Sequence, residues 1–385
     1  MRAEAAPDHH GSHRHLISEY DDLPDDAPRP VHAIVVPTIR HPRWLRHAAR
    51  LAQHLSCPLV SLHSRNWSNA ELADAVVPSA VHLIAIDIDD VGALNLPDFA
   101  TDALLRNTPF VRFTDLSAKR NLGLALARMM DWQRIVFLDD DIEVGAPHEV
   151  SRAASLLDIY DVVGMRIGGY PDNSVVCHAY RETGGSQDSF VGGGALAVET
   201  TRNFSFFPNV YNEDWFYLLG DKTVRPLAVT GMVRQRPYDP FDRPIRARDQ
   251  EFGDVLAEGV YWLLDERPEH GWSVAADRGH WERFLARRRD FVEGVLRRVR
   301  ESPETVPFDR KAAEASLQAA LGRLSRIEPE FCVAYLEAWL EDRVRWEKHL
   351  SGLPKHLPSF ADAVEYLVGE GKPGLRWKHR VPDNL

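Results

Sequence analysis

The run Arg134-Ile-Val-Phe-Leu138, followed at once by Asp139, Asp140 and Asp141, constrains the fold of this chain more than any other stretch. Its uninterrupted apolar residues, all of strand-forming type, read as a strand covered on both faces, the pattern of a parallel sheet between helices. In open sheets of that kind ligands bind outside the carboxyl ends of the strands. The aspartates therefore fall on the edge where chemistry is expected. Side chains alternate along extended backbone, which puts Asp139 and Asp141 on one side and Asp140 on the other. Adjacent carboxylates repel, and a raised pKa or a divalent cation with oxygen ligands relieves them. A solvated turn is the plainer alternative, although turns more often carry Gly, Asn or Pro among their acids.

What precedes that strand reads as a capped helix over residues 115–130, with Asp115 or Ser117 as N-cap. Leu122, Ala125, Leu126, Met129 and Met130 recur at the spacing of one buried face. Lys119 and Arg120 stand in its first turn, where cations oppose the helix dipole unless an anion such as phosphate binds there. Two solvated bases are the commoner outcome for such a pair. Further upstream, 31–36 is a good first strand, followed by Pro37, Thr38, Ile39 and Arg40 and then a helix over 42–55. Pro37, Thr38 and Arg40 are candidates to hold base or ribose; equally, they cap the next helix. Strands at 58–62 and 81–87 continue a βαβ rhythm and a mostly parallel sheet. Asp87 ends its strand as Asp139 does and is a further ribose or base candidate.

Downstream, Phe190-Val-Gly-Gly-Gly-Ala-Leu-Ala-Val198 reads as a strand interrupted by glycines, either a β-bulge or a close approach of ligand or backbone. Tyr211-Asn-Glu-Asp-Trp215 opens a helix with Asn212 as N-cap, and Glu213 and Asp214 suit its dipole whatever else they do.

A basic, Asn-containing helix start, a short turn and an apolar strand ending in acids together resemble the GT-A glycosyltransferases. The match is to the inverting group in which an Arg-Asn-x-Gly helix runs into a strand ending in Asp-x-Asp. Arg120-Asn121-Leu122-Gly123 and Phe137-Leu138-Asp139-Asp140-Asp141 are the matching residues. The resemblance implies an α/β fold with a Rossmann-like, mostly parallel sheet and a UDP- or GDP-sugar donor. It also implies a Mn2+ or Mg2+ ion bridging the diphosphate to the Asp-x-Asp carboxylates. Carried onto this chain, Asp139 and Asp141 are metal ligands, Asp139 and Asp140 donor contacts, and Lys119, Arg120 and Asn121 diphosphate partners. Gly193 and Gly194 lie beneath donor sugar and acceptor. Asp214, with Glu213 beside it, is the base that deprotonates an acceptor hydroxyl in a single inverting displacement. Many relatives place a histidine ligand after the strand that follows the Glu-Asp helix. This chain has none there, which leaves Gln235 as the neutral ligand, Arg234 and Arg236 near the diphosphate, and His270 and His280 further on.

Other readings stay open. A retaining glycosyltransferase on the same fold would not need the base. The string 36–40 with a later Asp triplet also looks like the plant UDP-arabinopyranose mutases, over a shorter match. Sugar-1-phosphate nucleotidyltransfer normally needs a Gly-rich loop after the first strand, and 37–40 lacks glycine. A silent nucleotide-sugar binder is the alternative from outside enzymology.

With 385 residues and 44% hydrophobic content, the chain can bury a large core. A net charge of −11 argues against nucleic-acid binding. Cys57, Cys177 and Cys332 form neither a disulfide framework nor a zinc pattern, no run approaches a membrane span, and the amino terminus lacks a signal-peptide core; a cytoplasmic protein is expected. Residues 1–30, with His9, His10, His13 and His15, read as a disordered tail. Residues 31–270 form the transferase domain and 271–385 a helical region, with helices near 281–299, 311–327 and 329–350. Those helices are expected to pack on the domain, shape the acceptor pocket or pair in a homodimer. Arg243, Arg246 and Arg248 either grip an anionic acceptor or line a solvated loop.

Overall fold

The computed structural model describes residues 13–20, 29–171, 173–187, 190–202, 204–266, 269–303 and 307–382. Among these residues ten strands form one sheet: β1 (Ser18–Tyr20), β2 (Ala33–Thr38), β3 (Leu59–His63), β4 (Leu83–Asp87), β5 (Arg134–Leu138), β6 (Ile142–Val144), β7 (Val162–Gly169), β8 (Ala195–Glu199), β9 (Leu227–Gln235) and β10 (Arg376–Arg380). Their order is β1-β9-β7-β8-β5-β2-β3-β4-β10, with β6 beside β9. β2 runs parallel to β3 and β5, β3 to β4, and β9 to β7 and β1. Antiparallel pairing enters through β8, which runs against both β5 and β7, and through β6 and β10. The molecule is a mixed α/β protein with a mostly parallel sheet flanked by helices.

The central strands are buried because helices cover both faces. Ala33 and Val35 join one core with Val60 and Leu62, while Ile34 and Val36 join the other with Leu59. The helix Leu116–Met129 lies on the first side. Its expected one-sided stripe is in fact burial almost all round, Leu124 and Ala127 included. Gly123 makes this possible: a Cβ there would meet Val35 at 3.0 Å and Phe137 at 3.1 Å, so glycine lets the helix sit close on β2 and β5.

Three expectations need correction. The glycine run is not a strand, since β8 begins only at Ala195 and the glycines form the approach to it. The tail expected over 1–30 is ordered in part: 13–20 are built into the fold, with β1 paired to β9, while 1–12 and 21–28 lie outside the described residues. Finally, the carboxyl-terminal region is not helical throughout, because β10 closes the sheet edge on β4. Its helices Arg278–Glu301, Arg310–Leu324, Pro329–Gly352 and Phe360–Tyr366 share the main body's interior. Trp281, Trp339 and Trp346 belong to the same core as Leu122 and Phe216. Asp342 accepts from Ala100 N at 2.5 Å and Thr101 N at 2.9 Å, capping the helix Ala100–Leu105 from across the molecule. The aromatic stripe is thus used internally.

Candidate active site

Because β2 has β3 on one side and β5 on the other, the chain order reverses there and leaves a crevice at the strands' carboxyl ends. That crevice is a cleft of about 590 Å3 walled by residues 37–41, Arg43, Trp44, Trp67, Lys119 and Asp139, Asp140 and Asp141. Register aligns Val35 with Phe137 and so brings Thr38 beside Asp140. Thr38 Oγ1 donates to Asp140, and Arg40 forks across Asp140 and Asp141, with Nη2 2.9 Å from Asp141 Oδ2. Burial raises the pKa of Asp140, opposed by Arg40 and Thr38; burial and then the nearby Asp139 charge raise that of Asp141. The alternation expected of the triplet does not occur. The backbone turns at Asp139, whose carbonyl accepts from Ile142 N at 3.1 Å, so Asp140 and Asp141 share Arg40 while Asp139 faces Arg120.

The first turn of the helix Leu116–Met129 explains its own sequence. Lys119 is buried, and its three N–H bonds go to Thr38 O at 2.8 Å, Ser64 Oγ at 2.7 Å and Asp115 Oδ1 at 3.1 Å. Burial lowers its pKa against the pull of Asp115. Arg120, also buried, donates to Glu213 Oε1 at 2.6 Å and to Asp139 Oδ1 at 3.2 Å. Neither cation is solvated, and protein oxygens occupy the place expected for phosphate. Asn121 holds the backbone of Phe207 at both ends, through O at 2.9 Å and N at 2.8 Å, and does not line the cleft. Its expected donor contact is corrected to a structural clamp.

A second, smaller pocket of about 190 Å3 adjoins the cleft, and Asp139 and Leu116 line both. Its floor is the glycine run. A Cβ on Gly193 would stand 2.5 Å from Arg120 Nη1, and one on Gly194 3.1 Å from Asp139 Oδ2, so both glycines exist to let these side chains through. Asp139 N donates to Gly194 O at 2.9 Å, and Gly193 N donates to Asp214 Oδ2 at 2.6 Å. Asp214 opens the helix Glu213–Leu218 after Asn212, which adopts φ 62° and donates to Asp254 instead of capping with its side chain. Burial, reinforced by Glu213, pushes the pKa of Asp214 up to about 6, against the opposing pull of Arg120 and two backbone N–H groups. Arg112 is 3.9 Å from Glu213 on the same wall.

Other candidates lie elsewhere. Asp87 accepts from Ala70 N at 2.6 Å, at the start of the helix Ala70–Val76, and lines neither pocket. Gln235 pairs in register with Ile142 at the end of β9, next to Asp141, but is not among the residues that wall the cleft. Arg236 is held by Glu143 at 2.7 Å; Arg246 and Arg248 pair with Asp242 and Asp249. His280 is bonded to Gly259 O and His270 to Glu269. Among the described residues no group of three or more His, Cys, Asp or Glu could hold a metal. Arg43, Trp44 and Trp67 were not expected in the cleft, yet line it. Arg43 is exposed, and its guanidinium has no partner among the described residues. A tryptophan in the polar run Ser64-Arg65-Asn66-Trp67-Ser68-Asn69, just past a parallel strand, was the legible signal for Trp67.

No family model matches the chain. No curated protein matches it either. Among solved structures it is similar to the mannosyltransferase PcManGT from Pyrobaculum calidifontis in complex with GDP-Man and Mn2+, at 12% identity over 83% of this chain and 90% of that one, with a TM-score of 0.38. It is also similar to a protein described as a nucleotide-diphospho-sugar transferase from Desulfovibrio desulfuricans G20, at 10% identity over 70% of this chain and 99% of that one, with a TM-score of 0.28. Overlaps this loose carry no inference about chemistry. Among the described residues no helix is long and apolar enough to cross a membrane.

Proposed function

We propose that the protein is a glycosyltransferase of GT-A type that moves a sugar from a UDP- or GDP-linked donor to an acceptor hydroxyl, with inversion. The observation that carries this reading is the junction at Asp139, where a wide cleft at the strand switch point meets a smaller pocket holding a carboxylate of raised pKa. The donor would lie in the cleft with its diphosphate toward Arg43, whose guanidinium has no partner among the described residues, and toward Arg40, which is half exposed while paired with Asp140 and Asp141. Guanidinium groups suit phosphate oxygens geometrically as well as by charge.

The donor set fits a hard divalent cation. Asp139 and Asp141 line one cleft, and the Asp139 charge opposes ionisation of Asp141; Mg2+-type sites often combine one or two carboxylates with substrate phosphates. Mn2+ or Mg2+ bound there would supply Lewis-acid stabilisation of the leaving diphosphate. Asp214 takes the acceptor proton: a base is most effective with its pKa near the working pH, and burial has moved this one in that direction. Gly193 N and Trp215 N each donate to one of its oxygens and fix the carboxylate's direction. Glu213 holds Arg120, and through it Asp139, so the two pockets stay in register.

Incubating the protein with UDP- and GDP-sugars, Mn2+ and a mixture of sugar acceptors should release nucleoside diphosphate, and Asp214→Asn should suppress the release. Isomerisation of the donor without release would instead favour the mutase reading, and binding without change the silent binder.

A further inference from the structure

We infer that Trp67 is the nucleobase platform of the cleft, so that the site recognises a nucleoside diphosphate and not a diphosphate alone. This rests on the donor reading given above. Trp67 follows β3, lines the cleft and is 59% exposed. Exposed apolar side chains scattered singly are ordinary and need no function, but this one is held in place. Its indole Nε1–H donates to Ile39 O at 3.0 Å, tying the ring to the loop after β2. The loop beneath it is itself fixed: Ser68 N donates to Arg65 O at 3.0 Å, Asn69 Nδ2 to Asn66 O at 2.9 Å, and Leu72 N to Asn69 Oδ1 at 2.9 Å. Ile39, 48% exposed, extends the apolar surface along the same wall.

The other indole in the cleft is already engaged, with the guanidinium carbons of Arg40 and Arg236 at 5.3 and 4.7 Å from the Trp44 ring centre. Trp67 has no ring or guanidinium partner among the described residues. A planar, anchored and open π-face in a cleft that also carries carboxylates and arginines matches a ligand that joins a flat base to phosphates. Every nucleobase has a π-face, so stacking gives affinity with little choice among bases.

The test measures equilibrium binding of UDP, GDP and inorganic pyrophosphate, each with Mn2+, to the parent, Trp67→Ala and Trp67→Phe. Removing a base–aromatic stack should weaken UDP and GDP by roughly 5- to 100-fold. Pyrophosphate should bind Trp67→Ala within about twofold of the parent, and Trp67→Phe should keep most of the nucleotide affinity. Unchanged UDP and GDP binding to Trp67→Ala overturns the inference while leaving the donor reading intact. An equal loss of pyrophosphate also overturns it, because the damage is then to the cleft in general. If the parent binds none of the three ligands, the donor reading falls and the inference with it.

Discussion

A carboxylate held at a pKa of about 6 is ionised at neutral pH yet more basic than an ordinary aspartate, and that combination is the chemical argument for Asp214. The transfer rate should rise as pH climbs through about 6 and then level off, because the base must be deprotonated to act. The stability sign is opposite: a folded-state pKa above the unfolded value favours the protonated form, so this carboxyl destabilises the fold progressively as pH rises between roughly 4 and 6. Asp214→Asn should bind nucleotide within a few-fold and transfer sugar at least ~100-fold more slowly. Near-parental turnover would remove Asp214 from the chemistry. The acids at 139–141 were legible as cleft residues because clustered acids at a strand end are costly to explain by folding. Asp87 and Asn121 misled for a physical reason: a buried backbone N–H or C=O can recruit the same side chains, and sequence does not reveal which backbone lies opposite.

The amino-terminal segment is the element that sequence hid. Its strand is three residues long and adds to a sheet edge by backbone pairing of Ser18, Glu19 and Tyr20 with Ala228, Val229 and Thr230, which asks for no apolar signature. Ahead of it His13 is 2% exposed and packs by its ring against Phe190, Trp215 and Tyr261. Burial works against its charge, but hydrogen bonds to Asp265 and Glu258 outweigh that and lift its pKa to about 9. A raised histidine stabilises fully below its unfolded value near 6.5 and loses that contribution as pH rises through about 9. His13→Ala should accordingly cost about 2 kcal/mol or more at pH 6, since a buried charge-assisted contact is removed. The deficit should shrink toward pH 10. Thermal melts of parent and variant at both pH values decide it, and a deficit independent of pH would mean that ring packing, not charge, is what His13 supplies.

At the scale of the whole molecule, the βαβ rhythm of the first half was readable because buried parallel strands are continuous apolar runs. The second half was readable only in part: the end of the strand read at 190–198 is β8, whereas β7 and β9 pair with each other across a long stretch of chain and β10 returns from the far end to close the edge. What this topology achieves is to set Asp140 and Asp141 against Arg40 at the switch point, two neighbours with different tasks. Asp140 is 8% exposed and joins β5 to the loop after β2 through Thr38 and Arg40, so Asp140→Asn should lower the melting temperature. Asp141 faces the Asp139 charge, so Asp141→Asn relieves repulsion and should leave the apo protein at least as stable. The same arrangement fixes how the ion should bind. Under the proposed function, Asp139 and Asp141 would share the cation with donor phosphates. Mn2+ alone should therefore bind weakly, and saturating UDP or GDP should tighten it by at least about tenfold, with Mn2+ tightening the nucleotide by the same factor because linkage is reciprocal. Asp141→Asn should reduce that factor toward one. Calorimetric titrations in both orders measure it directly, and tight Mn2+ binding that is indifferent to nucleotide would require a self-sufficient metal site and defeat the shared one proposed at Asp139 and Asp141.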